Sequence, residues 1–265
     1  MIIVGERINT SRKLIEPAVR EKDAGFIKEE ARKQREAGAG YIDVNCGTLV
    51  EDEVERLAWL VRTVQEEEEI PLCLDSPNPE AIRAALKVCK GKPLVNSITL
   101  EQERFSALLP LFKEFEASVV ALTMDDQGIP ETIDDRLRLA EGLINNLTKA
   151  GVGIEDIYID PLVRPISTDP QTALLLVETV KIFKKKWPEA HIICGLSNIS
   201  YGFPLRKFIN QAFLILMLQA GLDAAILDPL DQNLLGLLYA AQVLLAKDEF
   251  GMNYIRAYRK GKIEI

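Results

Sequence analysis

The chain has 265 residues and a formal net charge of −8, from 32 Lys and Arg against 40 Asp and Glu. With 48% hydrophobic and 27% charged residues it is an ordinary globular protein, and the acidic balance argues against a general nucleic-acid binder, which needs a basic stripe. No apolar run reaches the ~18 residues of a membrane span, and residues 1–7 carry no basic leader or cleavage signal, so a cytoplasmic protein is expected.

Short apolar runs alternate with longer amphipathic ones along the whole chain. In chain order, strands are expected over 2–6, 41–44, 72–75, 94–96, 119–123, 157–160, 192–195 and 224–228. Helices are expected over 26–37, 53–66, 79–89, 101–114, 130–149, 170–185, 205–220 and 231–246. Leu57, Leu60, Val61 and Val64 repeat at helical spacing and form one apolar face. Pro79, Pro130 and Pro170 sit at expected first turns, and Gly38, Gly40, Gly151, Gly153 and Gly221 punctuate helix ends. The acidic run 66–69 and the basic run 184–186 read as solvated helix surface. Cys46, Cys73, Cys89 and Cys194 lack any Cys-x-x-Cys spacing and read as small buried apolar residues rather than metal ligands. Eight strand–helix pairs at this length predict an α/β protein made of a single (β/α)8 TIM barrel, one domain over 1–265.

In such a barrel the chemistry sits where strands end and βα loops begin. Here the strand ends read Glu6, Asp43 and Asn45, Asp75, Asn96, Thr123 with Asp125, Asp160, Ser197 with Asn198, and Asp228. One Asp after a strand is ordinarily a helix cap, but polar groups on nearly every strand point to a site. The sole histidine, His191, falls at a strand start on the opposite face, so no Ser-His-Asp triad is available. No Gly-rich phosphate loop occurs either. A mouth of carboxylates and amides suits a flat, neutral heterocycle with donors and acceptors along one edge, such as a pterin, among other polar ligands.

The segments Gly5-Glu6-Arg7-Ile8-Asn9, Ile42-Asp43-Val44-Asn45, Cys73-Leu74-Asp75-Ser76, Val95-Asn96-Ser97, Leu122-Thr123-Met124, Ile159-Asp160-Pro161-Leu162 and Gly195-Leu196-Ser197-Asn198-Ile199-Ser200 occur in order with barrel spacing. Together they resemble the pterin-binding methyltransferases, in particular the free-standing methyltetrahydrofolate:corrinoid protein methyltransferases related to the folate module of cobalamin-dependent methionine synthase. The resemblance implies a homodimeric TIM barrel that moves a methyl group between N5 of tetrahydrofolate and the cobalt of a corrinoid carried by a partner protein, with no metal of its own. It implies pterin-ring contacts for Asp75, Asn96 and Asp160, and an amide reaching N5 for Asn198. Asp43 and Asn45 fall among the pocket-lining strand ends, Ser197 and Arg206 on the loop after strand seven, and Met124 at the ring face or in the core.

Two departures bear on the partner. Tyr201 follows Ser200 where the acetogenic branch carries Gln, and residues 201–207 and 162–169 look closer to relatives that serve demethylases. The rivals are a non-catalytic pterin-binding subunit and a dihydropteroate synthase-like enzyme. The latter would need a different first loop from Asn9-Thr10-Ser11-Arg12-Lys13 and a basic pair where Asp228-Pro229-Leu230-Asp231 stands.

Overall fold

The computed structural model describes residues 1–66 and 70–263. Eight strands form one parallel sheet: β1 (Ile2–Asn9), β2 (Tyr41–Asn45), β3 (Leu72–Asp75), β4 (Leu94–Ile98), β5 (Ser118–Leu122), β6 (Ile157–Asp160), β7 (His191–Ile192) and β8 (Ala224–Leu227). Their order runs β7-β6-β5-β4-β3-β2-β1-β8. The ring closes because Ile226 N donates to Cys194 O at 2.9 Å and Asp223 N to Ile192 O at 3.3 Å. The protein is a (β/α)8 barrel.

The helices are α1 (Ile15–Arg20), α2 (Ala24–Ala37), α3 (Glu53–Val64), α4 (Pro79–Leu86), α5 (Gln102–Leu108), α6 (Leu111–Glu114), α7 (Ile133–Lys149), α8 (Thr172–Lys186), α9 (Arg206–Ala220), α10 (Gln232–Leu244) and α11 (Met252–Arg259). Leu57, Leu60, Val61 and Val64 of α3 are fully buried, as their spacing requires. Each such side chain contributes about 1.5–3 kcal/mol of burial, and this layer between strands and helices is the larger core.

Local chemistry sets the helix ends. The Asn78 side chain accepts from Glu80 N, with Pro79 in the first turn of α4. Thr132 caps α7 by accepting from Asp135 N, so this helix begins at Ile133, and Pro130 lies outside it. The α8 helix likewise begins two residues after Pro170. Pro110 divides the helix expected over 101–114 into α5 and α6, because it offers no N–H to the helix ladder. Gly38 and Gly221 end α2 and α9 at φ 111° and 117°, a conformation that glycine adopts without strain.

Two helices have no counterpart in the apolar patterning. The α1 helix is one short turn-and-a-half in the first loop, and α11 buries only Ala257 of its own residues. Of the basic run, Lys184 departs from a solvated role: its ammonium donates to Pro188 O, Ala190 O and Asp223. The acidic run 66–69 lies, beyond Glu66, outside the described residues.

Period-two alternation sends every second strand residue into the barrel. Val4, Cys73, Leu94, Val120, Tyr158, Ile193 and Ala224 form a compact apolar plug there, separate from the outer layer. One step further along the strands, the inward positions become Glu6, Asp43, Asp75, Asn96, Leu122, Asp160 and Gly195. The plug therefore ends in a layer of carboxylates and amides.

Candidate active site at the barrel mouth

That layer floors a cavity of ≈ 800 Å³ that opens at the C-terminal ends of the strands. Asp75, Asn96, Asp160, Asn198, Asp43, Ser197 and Arg206 all line it. Asn45 does not. Its Nδ2 donates to Asp75 Oδ2 at 2.9 Å while its Oδ1 accepts from Gly47 N at 3.0 Å, so it orients Asp75 from behind. Met124 is also absent from the wall, where Leu122 supplies the apolar contact instead.

The floor is electrostatically unusual. Glu6, Asp43, Asp75 and Asp160 converge, and none of them forms an ion pair among the described residues. Asp160 is 8% exposed, and Leu162 N donates to its Oδ1 at 2.8 Å. Burial pushes its carboxyl up to about 7, opposed only by that bond. Asp75 rises to about 6, first through burial, with the Asn45 amide and the Arg104 charge pulling the other way. Asp43 is raised well above the usual carboxylate range by burial and by the neighbouring Asp75 charge, and its Oδ1 has no hydrogen-bond partner. Burial raises Glu6 as well, against the nearby Arg12. A buried acceptor without a donor is costly, so Asp43 Oδ1, beside carboxylates that each have a single donor, suits a ligand that brings N–H groups. Among the described residues, no cluster of three or more His, Cys, Asp or Glu is spaced to hold a metal ion.

The surrounding shell holds the floor in place. Arg104 on α5 donates from Nε at 3.0 Å and Nη2 at 2.6 Å to Ser97 O, from Nη2 to Ser76 O at 3.0 Å, and from Nη1 to Pro77 O. One guanidinium thus ties together the segments that follow Asp75 and Asn96, where the Asn96–Ser97 peptide is cis. Ser76 Oγ donates to Glu53 at 2.6 Å. Arg136 is 2% exposed and donates from Nε to Pro161 O at 3.0 Å, under the turn that follows Asp160.

The loop after β7 covers the other side. A Cβ on Gly195 would lie 2.9 Å from Asn198 Nδ2, so the glycine leaves room for that amide to fold back over the strand end. Ser197 Oγ donates to Glu6 Oε2 at 3.3 Å, linking this loop to β1. Arg206 donates to Ser197 O at 2.6 Å and to Ser200 Oγ at 3.0 Å, and so clamps the loop as well as lining the cavity.

This inventory of buried acceptors agrees with comparisons to known proteins. The family described as "Pterin binding enzyme" matches residues 5–228. The chain belongs to the pterin-binding enzymes. It is 40% identical to "Methylcorrinoid:tetrahydrofolate methyltransferase" of Eubacterium limosum, over 99% of this chain and 98% of that protein. It is 30% identical to methionine synthase of Mycobacterium tuberculosis over 85% of its own length, a match that spans 20% of that larger protein. Among solved structures, dihydropteroate synthase of Xanthomonas albilineans superposes with a TM-score of 0.69 at 18% identity, covering 94% and 93% of the two chains. The enzyme from Coxiella burnetii in complex with pteroic acid gives 0.69 at 14% identity, over 91% and 94%. Those two likenesses establish the barrel fold and nothing finer.

The cavity wall of this pterin-binding enzyme also includes residues that the strand-end reading left out of the site. Glu6 and Asp228 stood at strand ends and were legible as polar exits. Arg12, Lys207 and Asn210 carried no such signal, since they reach the cavity from loops and from α9. Arg7 joins Glu30 at 2.9 Å and Asp228 at 3.0 Å, and Arg12 joins Asp228 at 3.1 Å, pinning the first loop to the end of β8.

Proposed function

We infer that this pterin-binding enzyme is a methyltransferase, moving a methyl group between N5 of tetrahydrofolate and the cobalt of a protein-bound corrinoid. The observation that carries this is the 40% identity, over nearly both full lengths, to the Eubacterium limosum enzyme of that named activity. The floor supports it on separate grounds, because a pterin brings an amino group and a ring N–H to carboxylates that have no cationic partner and few donors of their own.

In this reading Asp75 and Asp160 accept from the 2-amino and ring N–H groups, and Asn96 hydrogen-bonds the adjoining edge. Asp43 and Ser197 line the same space, Asn45 aims Asp75, and Arg206 holds the β7 loop. Asn198 is exposed, on a loop over the cavity, with its amide free to turn toward N5. When the methyl leaves, the N5–carbon bond breaks, N5 keeps the electron pair and takes up a proton, and cobalt gains the methyl and is formally oxidised by two electrons. The amide donates to that growing lone pair, so its contact strengthens toward the transition state. The floor fixes distance and approach.

The corrinoid comes on a partner protein, which docks over the open mouth. A homodimer is part of the same proposal, supported by the α11 side chains Tyr254, Ile255 and Tyr258, which share one face and are 41%, 39% and 67% exposed. A cytoplasmic setting fits, since no described helix is long and apolar enough to cross a membrane. The test supplies purified protein with methyltetrahydrofolate and cob(I)alamin. Consumption of both, undiminished after dialysis against chelator, is the expected result. Tight folate binding without methyl transfer would instead favour a non-catalytic subunit.

A further inference from the structure

Arg12 lines two cavities: the mouth described above and a smaller one of ≈ 230 Å³ behind the first loop. The smaller cavity has an apolar side, Leu14, Ile15 and Phe26, and a cationic side, Arg7, Arg12 and Lys13, against the single carboxylate of Glu30. Arg7 is committed to Glu30 and Asp228. Arg12 uses only Nη2, on Asp228, and Lys13 has no partner among the described residues. Leu14, on the same wall as Ile15 and Phe26, is 74% exposed. On a protein of net charge −8 this is a local cationic, half-apolar hollow that shares Arg12 with the wall of the mouth.

The barrel order says what reaches it. Asp75, Asn96 and Asp160 stand on β3, β4 and β6, and in a closed ring of eight the strands opposite β4 and β5 are β8 and β1. A pterin carries its 2-amino group and its 6-substituent at opposite ends of the bicycle. With the amino end on the floor carboxylates, the 6-substituent leaves across β8 and β1, over Arg12. In a folate that substituent is an aromatic ring followed by a glutamate bearing two carboxylates.

We propose that the second cavity receives this aryl-glutamate tail, with Leu14, Ile15 and Phe26 packing on the ring and Lys13 and Arg12 meeting the carboxylates. The assignment rests on the folate reading above and extends it to the part of the substrate that does no chemistry. Remote contacts of this kind orient the reacting end.

The experiment measures dissociation constants, by calorimetry, for methyltetrahydrofolate and for tail-less 6-methyltetrahydropterin, in unsubstituted protein and in Lys13→Glu and Leu14→Asp. Both side chains are exposed, so folding is not at stake. The expected result is a preference for the folate over the tail-less pterin that drops about fivefold in Lys13→Glu, the scale of a surface ion pair, with a drop in the same direction in Leu14→Asp. Higher salt shrinks the preference in the unsubstituted protein. A preference that stays the same in both variants, or equal losses for the two ligands, overturns the tail site. If the unsubstituted protein binds neither ligand, the folate reading itself fails, and that outcome is distinct.

Discussion

Asp160 and Asp223 are the same residue type at opposite ends of the barrel, and their surroundings differ sharply. Asp223, at the N-terminal end, accepts from Lys184 Nζ at 2.8 Å and from Ile192 N at 2.8 Å, with His191 Nδ1 at 3.5 Å. His191 in turn stacks on Tyr158 at 4.5 Å. Despite burial, these partners hold the Asp223 carboxyl below its ordinary range. Asp160, at the C-terminal end, has one backbone donor and is pushed up to about 7. The N-terminal end satisfies its charge from within the protein and contributes stability. The mouth leaves its carboxylates without a cation, as the proposed folate site requires. In the proposed reading, stability and function are divided between the two ends of the barrel.

The largest expected effect at the mouth is kinetic. Asn198→Ala should lower the single-turnover rate with cob(I)alamin by on the order of 10–10³-fold, with a smaller change in methyltetrahydrofolate affinity. Stopped flow reads cobalt oxidation directly, and a changed dissociation constant with an intact saturated rate would make Asn198 a positioning residue. Next come Asp75→Ala and Asp160→Ala, each expected to weaken folate binding by about 1–3 kcal/mol while leaving the unliganded fold intact. Wild-type affinity by fluorescence quenching in either variant would erase the contrast between the two ends.

A pH effect of about tenfold should follow. The raised carboxyls of Asp75 and Asp160 must be ionised to accept from the pterin, so lowering the pH from 8 to 6 protonates them in the free protein and weakens binding. The same groups act oppositely on the unliganded fold. Because folding raises the Asp160 pKa above its unfolded value, that group favours the folded state at low pH and the advantage fades as pH rises toward about 7. Asp160→Asn should therefore raise the melting temperature at pH 8. The smallest effect belongs to the other end. Asp223→Asn should cost about 1 kcal/mol of stability at pH 7 and leave folate affinity unchanged. With the folded Asp223 pKa lowered, its contribution is complete above the unfolded value near 4 and is lost only in stronger acid.

The fold was legible because its signals are local. Alternating runs of period two and period 3.6 are written within a dozen residues, and the Leu57 to Val64 face and the Asn78 cap needed nothing from elsewhere in the chain. The errors were local as well: Pro110 broke a helix that apolar periodicity carried through, and Thr132 moved a start that Pro130 had marked. The strand-end carboxylates and amides were readable for the same reason, since strand direction alone sends them to one mouth.

What a side chain does there was decided by neighbours remote in sequence. Lys184 read as solvated surface until Asp223, 39 positions away, proved to be its partner. Asn45 lay in the pocket motif yet stands behind Asp75, 30 positions on. Arg12 reaches Asp228 across 216 positions, and Ser197 reaches Glu6 across 191. The sequence by itself determined a closed eightfold barrel with a polar rim, because periodicity and strand-end chemistry are properties of short segments. Only the tertiary structure decided which rim carboxylates find a cation and which stay without one. Closing the ring brings the first and last strands together, and an acid's pKa depends on the charges and donors within a few ångströms of it.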